Sequence, residues 1–340
     1  MTHCNTKTLA CTPLTRKKLE FDFDGGKITT HAGVILLREV EKRIRLFDRV
    51  AEVLVDKRTS PAVVHTVRNM LAQRVMALCI GCEDLNDHNE LRNDPALQIA
   101  VTDNLNKEVP LASPPTLCRW ERRVNSEELL AINKLLVDIF LDTFMTPPKE
   151  LVLDFDSTDC PLFGNQEGRH FNGYYDEYCY TPLYVTRKVI CKAEYNQKGP
   201  NTRFIVTNLP GDAQSLYEDV YCARGDMENR IKENKLFLFS CRTSSRFFCA
   251  NQLRLLLSGL GYVLMNEMRR TVLADTALSE AQCDTIREKA IKIGARVLQS
   301  VRRVLFHLSS SYPFRELFTQ IWEKLRTPSA SSADFVPQLE

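Results

Sequence analysis

Two segments of this sequence carry charged side chains in patterns that suit a chemical site. The first is LVLDFDSTDCP, residues 151–161, whose apolar residues alternate as they do in a buried strand. Asp154 and Asp156 share the other face of this predicted strand, close to its end. Carboxylate oxygens at the rim of a sheet are suitable ligands for a divalent cation. The strand therefore predicts a metal site, provided that the chain supplies partners for these carboxylates.

The second segment is SLYEDVYCARGDMENRIKENKLF, residues 215–237, which has the pattern of a helix. Tyr221, Arg224, Glu228 and Lys235 are separated by three, four and seven residues, so that they fall on one narrow face. An ordinary interpretation also exists. Arg224 and Glu228 could be an exposed i,i+4 pair worth about 0.2–0.5 kcal/mol. The spacing alone leaves both interpretations open.

The elements that must position these side chains begin with a helical region. Between Ala32 and Val55 apolar residues recur every three or four positions, which predicts one amphipathic helix. Further helices are predicted over 63–80, after the Asp94-Pro95 pair, after the Pro114-Pro115 turn and over 126–145. Residues 30–146 are therefore expected to be nearly all helical.

The middle of the chain has the character of strands. GRHFNGYYDEYCYTPLYV predicts a strand or hairpin, and KVICKAEYN and TRFIVTNLP predict two more strands separated by a Gly199-Pro200 turn. From Ser215 to about Arg326 the pattern predicts helix again, and the terminal segment predicts disorder.

Composition limits the class of protein. The 340 residues are 44% hydrophobic and 26% charged with a net charge of +2, which is ordinary for a globular chain and requires any basic surface to be local. The longest charge-free apolar run in the C-terminal region, Leu255–Asn266, is too short to cross a bilayer, and the N-terminus lacks the apolar core of a secretory signal. The 12 scattered cysteines predict reduced thiols in a cytoplasm.

The pattern of Tyr221, Arg224, Glu228 and Lys235 resembles the Y-R-E-K signature of insertion-sequence transposases of the DDE class. LDFDSTDCP is similar to the strand that carries the first catalytic aspartate of that class. Further segments are similar to recurring blocks of one branch, the IS-thirteen-eighty-like group: EDLNDHNELRNDP, LASPPTLCRWE, GRHFNGYYDEYCYTPLYV, YCARGDMENRIKE, ANQLRL and IKIGARVLQSVRRV. The resemblance covers roughly residues 20–326.

This resemblance implies an RNase H-like core that transfers phosphoryl groups on DNA with two Mg²⁺ (or Mn²⁺) ions held by three carboxylates. Asp156, followed by Thr158, would be the first carboxylate and Glu228 the last, with Asp154 assisting as a metal ligand. Tyr221, Arg224 and Lys235 would contact DNA phosphates near the cleaved end.

Two basic groups are further candidates for DNA contact. Arg119, Arg122 and Arg123 follow the Pro-Pro turn at a predicted helix start, where backbone amides also favour a phosphate. A predicted helix over 281–310 carries six basic residues and could follow phosphates. The alternative for that helix is a solvated face opposite Ile286, Ala290, Ile293 and Val297.

The resemblance also implies a second aspartate on a central strand, and this sequence has no strand for it. PLYVT runs directly into RKVICKAEYN, which is similar to sequence just before the last core strand. The join near Thr186–Arg187 therefore indicates an internal deletion. Asp176 is the best substitute by position, but it lies within GYYDEY, which is itself similar to a different recurring block of the family. We expect this copy to lack full strand-transfer activity.

The fold expected from these arguments mixes α+β and α/β features. Its predicted parts are a lead-in over 1–29, a helical DNA-binding domain over 30–148, a truncated RNase H-like core over 149–240, a helical C-terminal region over 241–326 and a disordered tail over 327–340. The expected partner is DNA at terminal inverted repeats, bound by a homodimer in the cytoplasm at the nucleoid. The expected function is DDE-class strand cleavage and joining, impaired here. The alternatives are a non-catalytic remnant that occupies repeats or inhibits an intact transposase, and a pseudogene product.

Overall fold

A computed structural model describes most of the chain. The described residues are 9–14, 17–21, 24–58, 63–102, 109–144, 159–173, 176–180, 189–196, 199–206, 212, 214, 225–300 and 302–326, with the backbone alone over 9–21, 189–206 and 225–228. Residues 151–158 of the predicted strand segment LVLDFDSTDCP, which include Asp154 and Asp156, lie outside them.

Helices and short antiparallel strands make up the described chain. The helices are α1 Val34–Ile44, α2 Leu46–Glu52, α3 Val67–Ile80, α4 His88–Leu91, α5 Pro95–Val101, α6 Pro114–Glu121, α7 Ser126–Leu141, α8 Gly225–Phe237, α9 Phe248–Thr271, α10 Cys283–Ile286 and α11 Arg315–Arg326. The strands are β1 Leu9–Leu14, β2 Lys17–Phe21, β3 Ile28–Thr29, β4 Cys160–Pro161, β5 His170–Asn172, β6 Glu177–Tyr180, β7 Val189–Asn196, β8 Gly199–Val206, β9 Ala295–Gln299 and β10 Val304–Leu308. A mixed helix and sheet architecture is therefore confirmed.

The chain divides into two compact units. Unit 1 contains Met1–Ile44, Asn86–Ser113 and Leu264–Glu340, and unit 2 contains Arg45–Leu85 and Pro114–Val263. Each unit therefore takes residues from distant parts of the sequence. The domain boundaries expected from the sequence stay a prediction.

In unit 1, α1 is the central helix. Its Val34, Leu37 and Val40 are fully buried, as the apolar spacing predicts, and the helix contacts α5 and α11. Asp94 caps α5 by accepting a hydrogen bond from the Leu97 N–H, which explains the predicted restart of structure at this position. The chain therefore buries α1 by wrapping later segments around it.

The second half of unit 1 corrects the sequence interpretation. The helix predicted over 281–310 is wrong: α10 passes into a π-helical turn that ends at Ile291, and β9 and β10 follow as an antiparallel pair with β3 on the other side of β9. Gly294 precedes a stretch in which Ala295 and Val297 are buried and Arg296 is exposed. That alternation has the period of a strand, and it explains why the helix ends.

Unit 2 begins with α2. The single helix predicted over 32–55 is interrupted at Arg45, whose φ of 51° is left-handed and separates α1 from α2. The next helix, α3, starts later than predicted because Thr66 caps it by accepting from the Asn69 N–H. It ends at Gly81, whose φ of 95° allows the left-handed cap that a side chain would strain.

A buried ionic network joins three helices of unit 2. Glu121 on α6 accepts from the Arg74 Nε of α3 at 3.0 Å and from the Arg254 Nε of α9 at 2.8 Å. Arg74 also donates from its Nη atoms to the Glu83 carbonyl at 3.2 Å. Glu121 is 1% exposed and Arg74 2% exposed, so the carboxylate and the two guanidinium groups must compensate one another. This network fixes the position of α6.

The predicted strands of the middle region are largely confirmed. Within GRHFNGYYDEYCYTPLYV, β5 pairs antiparallel with β6, and β4 adds to the other edge of β6. The next two predicted strands form the antiparallel pair β7 and β8. Gly199 and Pro200, which were expected to form the turn, belong to β8 instead, where Gly199 pairs with Asn196 and Pro200 with Tyr195.

The longest helix described, α9, is 24 residues long and contains the apolar run Leu255–Asn266 in its middle. By length and composition alone it is the one helix among the described residues that could span a membrane, and 56% of its most apolar window is buried inside the protein. Leu253, Leu257 and Leu260 are fully buried, and Arg254 belongs to the ionic network of unit 2. These are the features of a core helix.

Candidate functional site

The residues of the predicted catalytic set are only partly described. Asp154 and Asp156 lie in the undescribed stretch that precedes β4, and Tyr221 and Arg224 precede the described part of their predicted helix. Glu228 lies in α8, where its backbone alone is described, and Lys235 lies in the last turn of α8. Their roles therefore stay predictions. Lys235 is the residue of this set whose side-chain contacts the structure describes.

Lys235 contacts the chain immediately after the predicted metal-binding strand. Its Nζ lies 3.0 Å from the backbone carbonyl oxygen of Asp159 and 3.1 Å from Asp159 Oδ1. The Lys235 side chain is 25% exposed. Asp159 follows Asp156 by three residues, so the salt bridge brings the two segments singled out in the sequence together in unit 2.

Two cysteines complete what we name the Lys235 cluster, made of Asp159, Cys160, Lys235 and Cys241. The Cys160 thiol donates to Cys241 Sγ at 3.2 Å, and Cys241 Sγ lies 3.6 Å from the Asp159 carbonyl oxygen. The hydrogen bond from Cys160 lowers the pKa of Cys241 to about 7, although burial opposes this, and the Lys235 charge adds to the effect. The same hydrogen bond, with burial, raises the pKa of Cys160.

The surroundings of Lys235 stabilise its positive charge. Burial opposes it, but the Cys241 thiolate and the Asp159 carboxylate outweigh burial and raise the pKa of Lys235 above its ordinary value. Lys235 therefore remains a cation at neutral pH and presents a fixed positive charge beside the end of α8. Such a charge can hold a phosphate if the phosphate competes with Asp159 for it.

The three arginines of LASPPTLCRWERRV lie at and beyond the end of α6, whereas they were expected near its start. The helix begins at Pro114 itself, so Arg119 is in its last turn, and Arg122 and Arg123 follow its end. The prediction that backbone amides at a helix start favour a phosphate beside these arginines is therefore wrong. All three are exposed; Arg119 Nη2 donates to Thr116 Oγ1 at 3.3 Å, and the Arg122 guanidinium lies 5.4 Å from the centroid of the Phe247 ring.

Two of these arginines line a cavity of about 380 Å³ in unit 2, which we name the basic cavity. Arg119 and Arg123 contribute two of its basic side chains, and Lys57 and Arg58 contribute two more from the segment after α2. Its acidic residues are engaged by the protein: Asp56 pairs with Arg58 at 2.6 Å, and Glu128 closes the capping box of α7. The basic cavity therefore has a local excess of basic side chains, although the net charge of the whole chain is only +2.

The other predicted basic surface is divided by the fold. Arg287 is buried, Arg296 is exposed on β9, and Arg302 and Arg303 are exposed in the turn between β9 and β10. A single helical stripe that follows phosphates is therefore wrong. The alternative of a solvated face on one amphipathic helix is wrong as well, because Ile286, Ala290, Ile293 and Val297 are all buried and do not share a helix.

No group of three or more His, Cys, Asp or Glu side chains among the described residues could hold a metal ion. The three predicted ligands are not part of that set, because Asp154 and Asp156 are undescribed and the side chain of Glu228 is not described. The described residues therefore neither assemble nor replace the metal site implied by the resemblance.

Several contacts were beyond sequence reasoning. Asp159 is separated by 76 residues from Lys235, and no local pattern links them. Lys57 and Arg58 lie more than fifty positions before Arg119 and carry no motif. The sequence shows that LDFDSTDCP is acidic and that the segment after α2 is basic. It does not show that Asp159 meets Lys235 or that Lys57 and Arg58 share a cavity with Arg119, because both arrangements depend on tertiary structure.

The sequence model of the family described as Transposase DDE domain group 1 matches this chain in two stretches, residues 11–186 and 185–330. No curated protein and no solved structure matches the chain. The two stretches together cover most of the sequence, including α6, α8, the Lys235 cluster and the basic cavity. Membership implies an interaction with DNA and, in general, the use of divalent metal ions. The chain belongs to the DDE transposase family.

Proposed function

We propose that this chain derives from a DDE-class insertion-sequence transposase, that it binds the terminal inverted repeats of such an element, and that its strand cleavage and joining are impaired. In this proposal the protein acts on DNA in the cytoplasm, at the nucleoid, and a homodimer holds both ends of the element. The Y-R-E-K residues and the RNase H-like arrangement of the core belong to the proposal as well.

The observation that carries the proposal is the salt bridge between Lys235 and Asp159. It joins the helix of the proposed Y-R-E-K signature to the segment that follows Asp156. In a DDE enzyme the first and last carboxylates must come from these two segments to reach the same metal ions. The contact supports a core that still brings its first and last parts together.

The two stretches of the family match support an internal deletion. The first stretch ends at residue 186 and the second begins at residue 185, next to the join proposed at Thr186–Arg187. A family match that stops and restarts at one point is what a missing block produces. The block proposed to be missing is the one with the second aspartate strand, so the three-carboxylate set would be incomplete.

Mg²⁺ or Mn²⁺ is the proposed metal, because the donor set is made of carboxylates. Asp156, Glu228 and Asp154 would hold it, and the ion would supply charge stabilisation at the transferred phosphate. The contribution of the chain itself is to position the DNA backbone. Lys235 offers a point charge, and Arg119 and Arg123 offer guanidinium forks that fit a phosphate.

The basic cavity favours the second candidate function, a non-catalytic remnant that occupies repeats or inhibits an intact transposase. The exposed Arg119 lies on α6, and the exposed Arg122 and Arg123 directly follow it. The buried Glu121 network holds this helix in place without help from the proposed metal site. DNA binding can therefore survive the loss of catalysis. Binding to the repeat would be the retained activity in either candidate function.

A gel-shift titration with terminal-repeat DNA tests the proposed binding. We expect the full chain to prefer the repeat to a scrambled duplex of equal length. Removing two phosphate contacts with the double variant Arg119→Gln, Arg123→Gln should reduce the slope of log K against log salt by about 2, since each contact contributes about 0.9.

The matched control is the double variant Lys42→Gln, Arg315→Gln, which removes two exposed positive charges from α1 and α11. It should leave the salt slope close to that of the parent chain. An equal loss of slope in both double variants, or equal affinity for repeat and scrambled DNA, would contradict the proposed interface.

A further inference from the structure

We propose that Cys160 and Cys241 form an oxidation site: a hydroperoxide converts the two thiols into a reversible disulfide that ties β4 to the segment after α8. This inference goes beyond the proposed function and does not depend on it. It concerns a modification of the protein and rests on the arrangement of the two sulfur atoms.

The two sulfur atoms lie close enough to form a disulfide after a small movement. Their sulfur atoms are 3.2 Å apart, whereas a disulfide bond is about 2.05 Å long, so a closure of about 1 Å is sufficient. The two cysteines are separated by 81 positions in the sequence, and both belong to unit 2. The contact is therefore a product of tertiary structure.

The surroundings of the two sulfur atoms differ. In its thiol form Cys241 donates to the Asp159 carbonyl oxygen at 3.6 Å, and the Lys235 ammonium pairs with the carboxylate of the same Asp159. Cys241 is half-buried and can be reached by a small oxidant, whereas Cys160 is 1% exposed. The two cysteines therefore have different roles: Cys241 meets the oxidant and Cys160 resolves the product.

The electrostatics favour the same assignment. The hydrogen bond from the Cys160 thiol lowers the pKa of Cys241 to about 7, with the nearby Lys235 ammonium adding to this against the effect of burial. At neutral pH a large fraction of Cys241 is the thiolate, which is the reactive nucleophile. Cys160 keeps its proton and reacts only when an electrophilic sulfur is formed beside it.

The reaction balances in two steps. The Cys241 thiolate attacks the terminal oxygen of the hydroperoxide, the O–O bond breaks, and the alkoxide takes a proton from water, leaving a sulfenic acid and an alcohol. The Cys160 sulfur then attacks the Cys241 sulfur, the S–S bond forms, the S–O bond breaks, and hydroxide leaves with the proton of Cys160 as water. The two thiols lose two electrons, and the hydroperoxide gains them.

A reversible disulfide is compatible with the cysteines that the structure describes, all of which are free thiols. Where a compartment keeps thiols reduced, disulfides are mostly transient and belong to catalytic or redox-sensing pairs. Closing this one links β4, which directly follows the proposed metal-binding strand, to the segment after α8. The linkage would fix the Lys235 cluster in its present arrangement.

Peptide mapping of the full-length protein tests the proposal directly. The reduced chain is treated with a small excess of hydrogen peroxide, remaining thiols are blocked with N-ethylmaleimide, and the digest is read by mass spectrometry. We expect a linked pair of peptides containing Cys160 and Cys241, lower in mass by two hydrogens than the reduced pair, which dithiothreitol separates again. Random linkage among the cysteines, or retention of both thiols after treatment, would overturn the proposal.

Two variants distinguish the roles of the sulfur atoms. Cys160→Ser should accumulate a sulfenic acid on Cys241 that dimedone traps, because the resolving thiol is gone. Cys118→Ser is the control, since Cys118 is half-buried on α6 and outside the cluster, and it should form the disulfide as the parent chain does. Dimedone labelling of Cys160 in a Cys241→Ser variant at the same rate would overturn the assignment of the attacking sulfur.

Discussion

Replacing Gly33 by alanine is expected to lower the free energy of unfolding by about 3 kcal/mol or more. A Cβ atom at this position would lie 2.0 Å from the Ala290 carbonyl oxygen and 2.5 Å from the Ile291 Cα atom. Both are backbone atoms that no rotamer change can move. The Gly33 N–H also donates to the Ile291 carbonyl at 3.0 Å, so a displacement that relieves the clash weakens this bond.

Urea unfolding followed by circular dichroism measures this change. The matched control is Gly259→Ala in α9, where an added Cβ meets nothing within 4 Å. That substitution should stabilise the chain by about 0.5–1 kcal/mol, because alanine has the better helix propensity. The same sign for the two variants would contradict the close approach of Gly33 to the chain before β9.

Replacing Glu121 by glutamine is expected to destabilise the chain by about 3 kcal/mol. The carboxylate accepts from Arg74 and Arg254, and without it two guanidinium groups lose their compensating charge. Burial already lowers the pKa of Arg74, and Glu121 is the main group that opposes this. Glutamine keeps the shape of the side chain, so the loss reports the charge rather than a cavity.

The effect should appear as a lower midpoint in urea and as weaker binding of repeat DNA, because α6 carries Arg119 and is followed by Arg123. Glu52→Gln is the control, since Glu52 is exposed at the end of α2 in the same unit. It should change stability by less than about 0.5 kcal/mol. Equal stability of the Glu121 and Glu52 variants would show that the network does not hold α6.

The sequence predicted helices well where one face packs against a core. Of the apolar positions that recur every three or four residues from Val34 to Val50, all but the half-buried Ile44 are buried, and the Asp94-Pro95 restart is a capped helix start. The break at Arg45 was not visible, because the apolar spacing continues through it and only the backbone angle marks it. Residues 295–308 were mistaken for helix because their apolar residues also fit a 3.6-residue period over a short window.

The sequence pointed to single residues of the candidate site but not to the contacts between them. Local pattern identified Lys235 and the arginines near α6, since charge and spacing are properties of neighbouring residues. It could not identify Asp159 as the partner of Lys235, or Cys160 as the partner of Cys241, because each contact closes a loop of about eighty residues. Such contacts depend on the packing of β4 against β6 and on the position of the end of α8, which sequence spacing does not encode.

A strand-cleavage assay on the purified full chain tests the central claim most directly. A labelled duplex that ends in the cognate terminal repeat is incubated with Mg²⁺, and nicked and joined products are separated on a denaturing gel. We expect binding of the repeat without cleavage above the level of the Asp156→Ala variant, because the proposed deletion would remove the middle carboxylate of the catalytic set. Robust Mg²⁺-dependent cleavage that disappears on Asp156→Ala would contradict the account, since it would require a complete site in this chain.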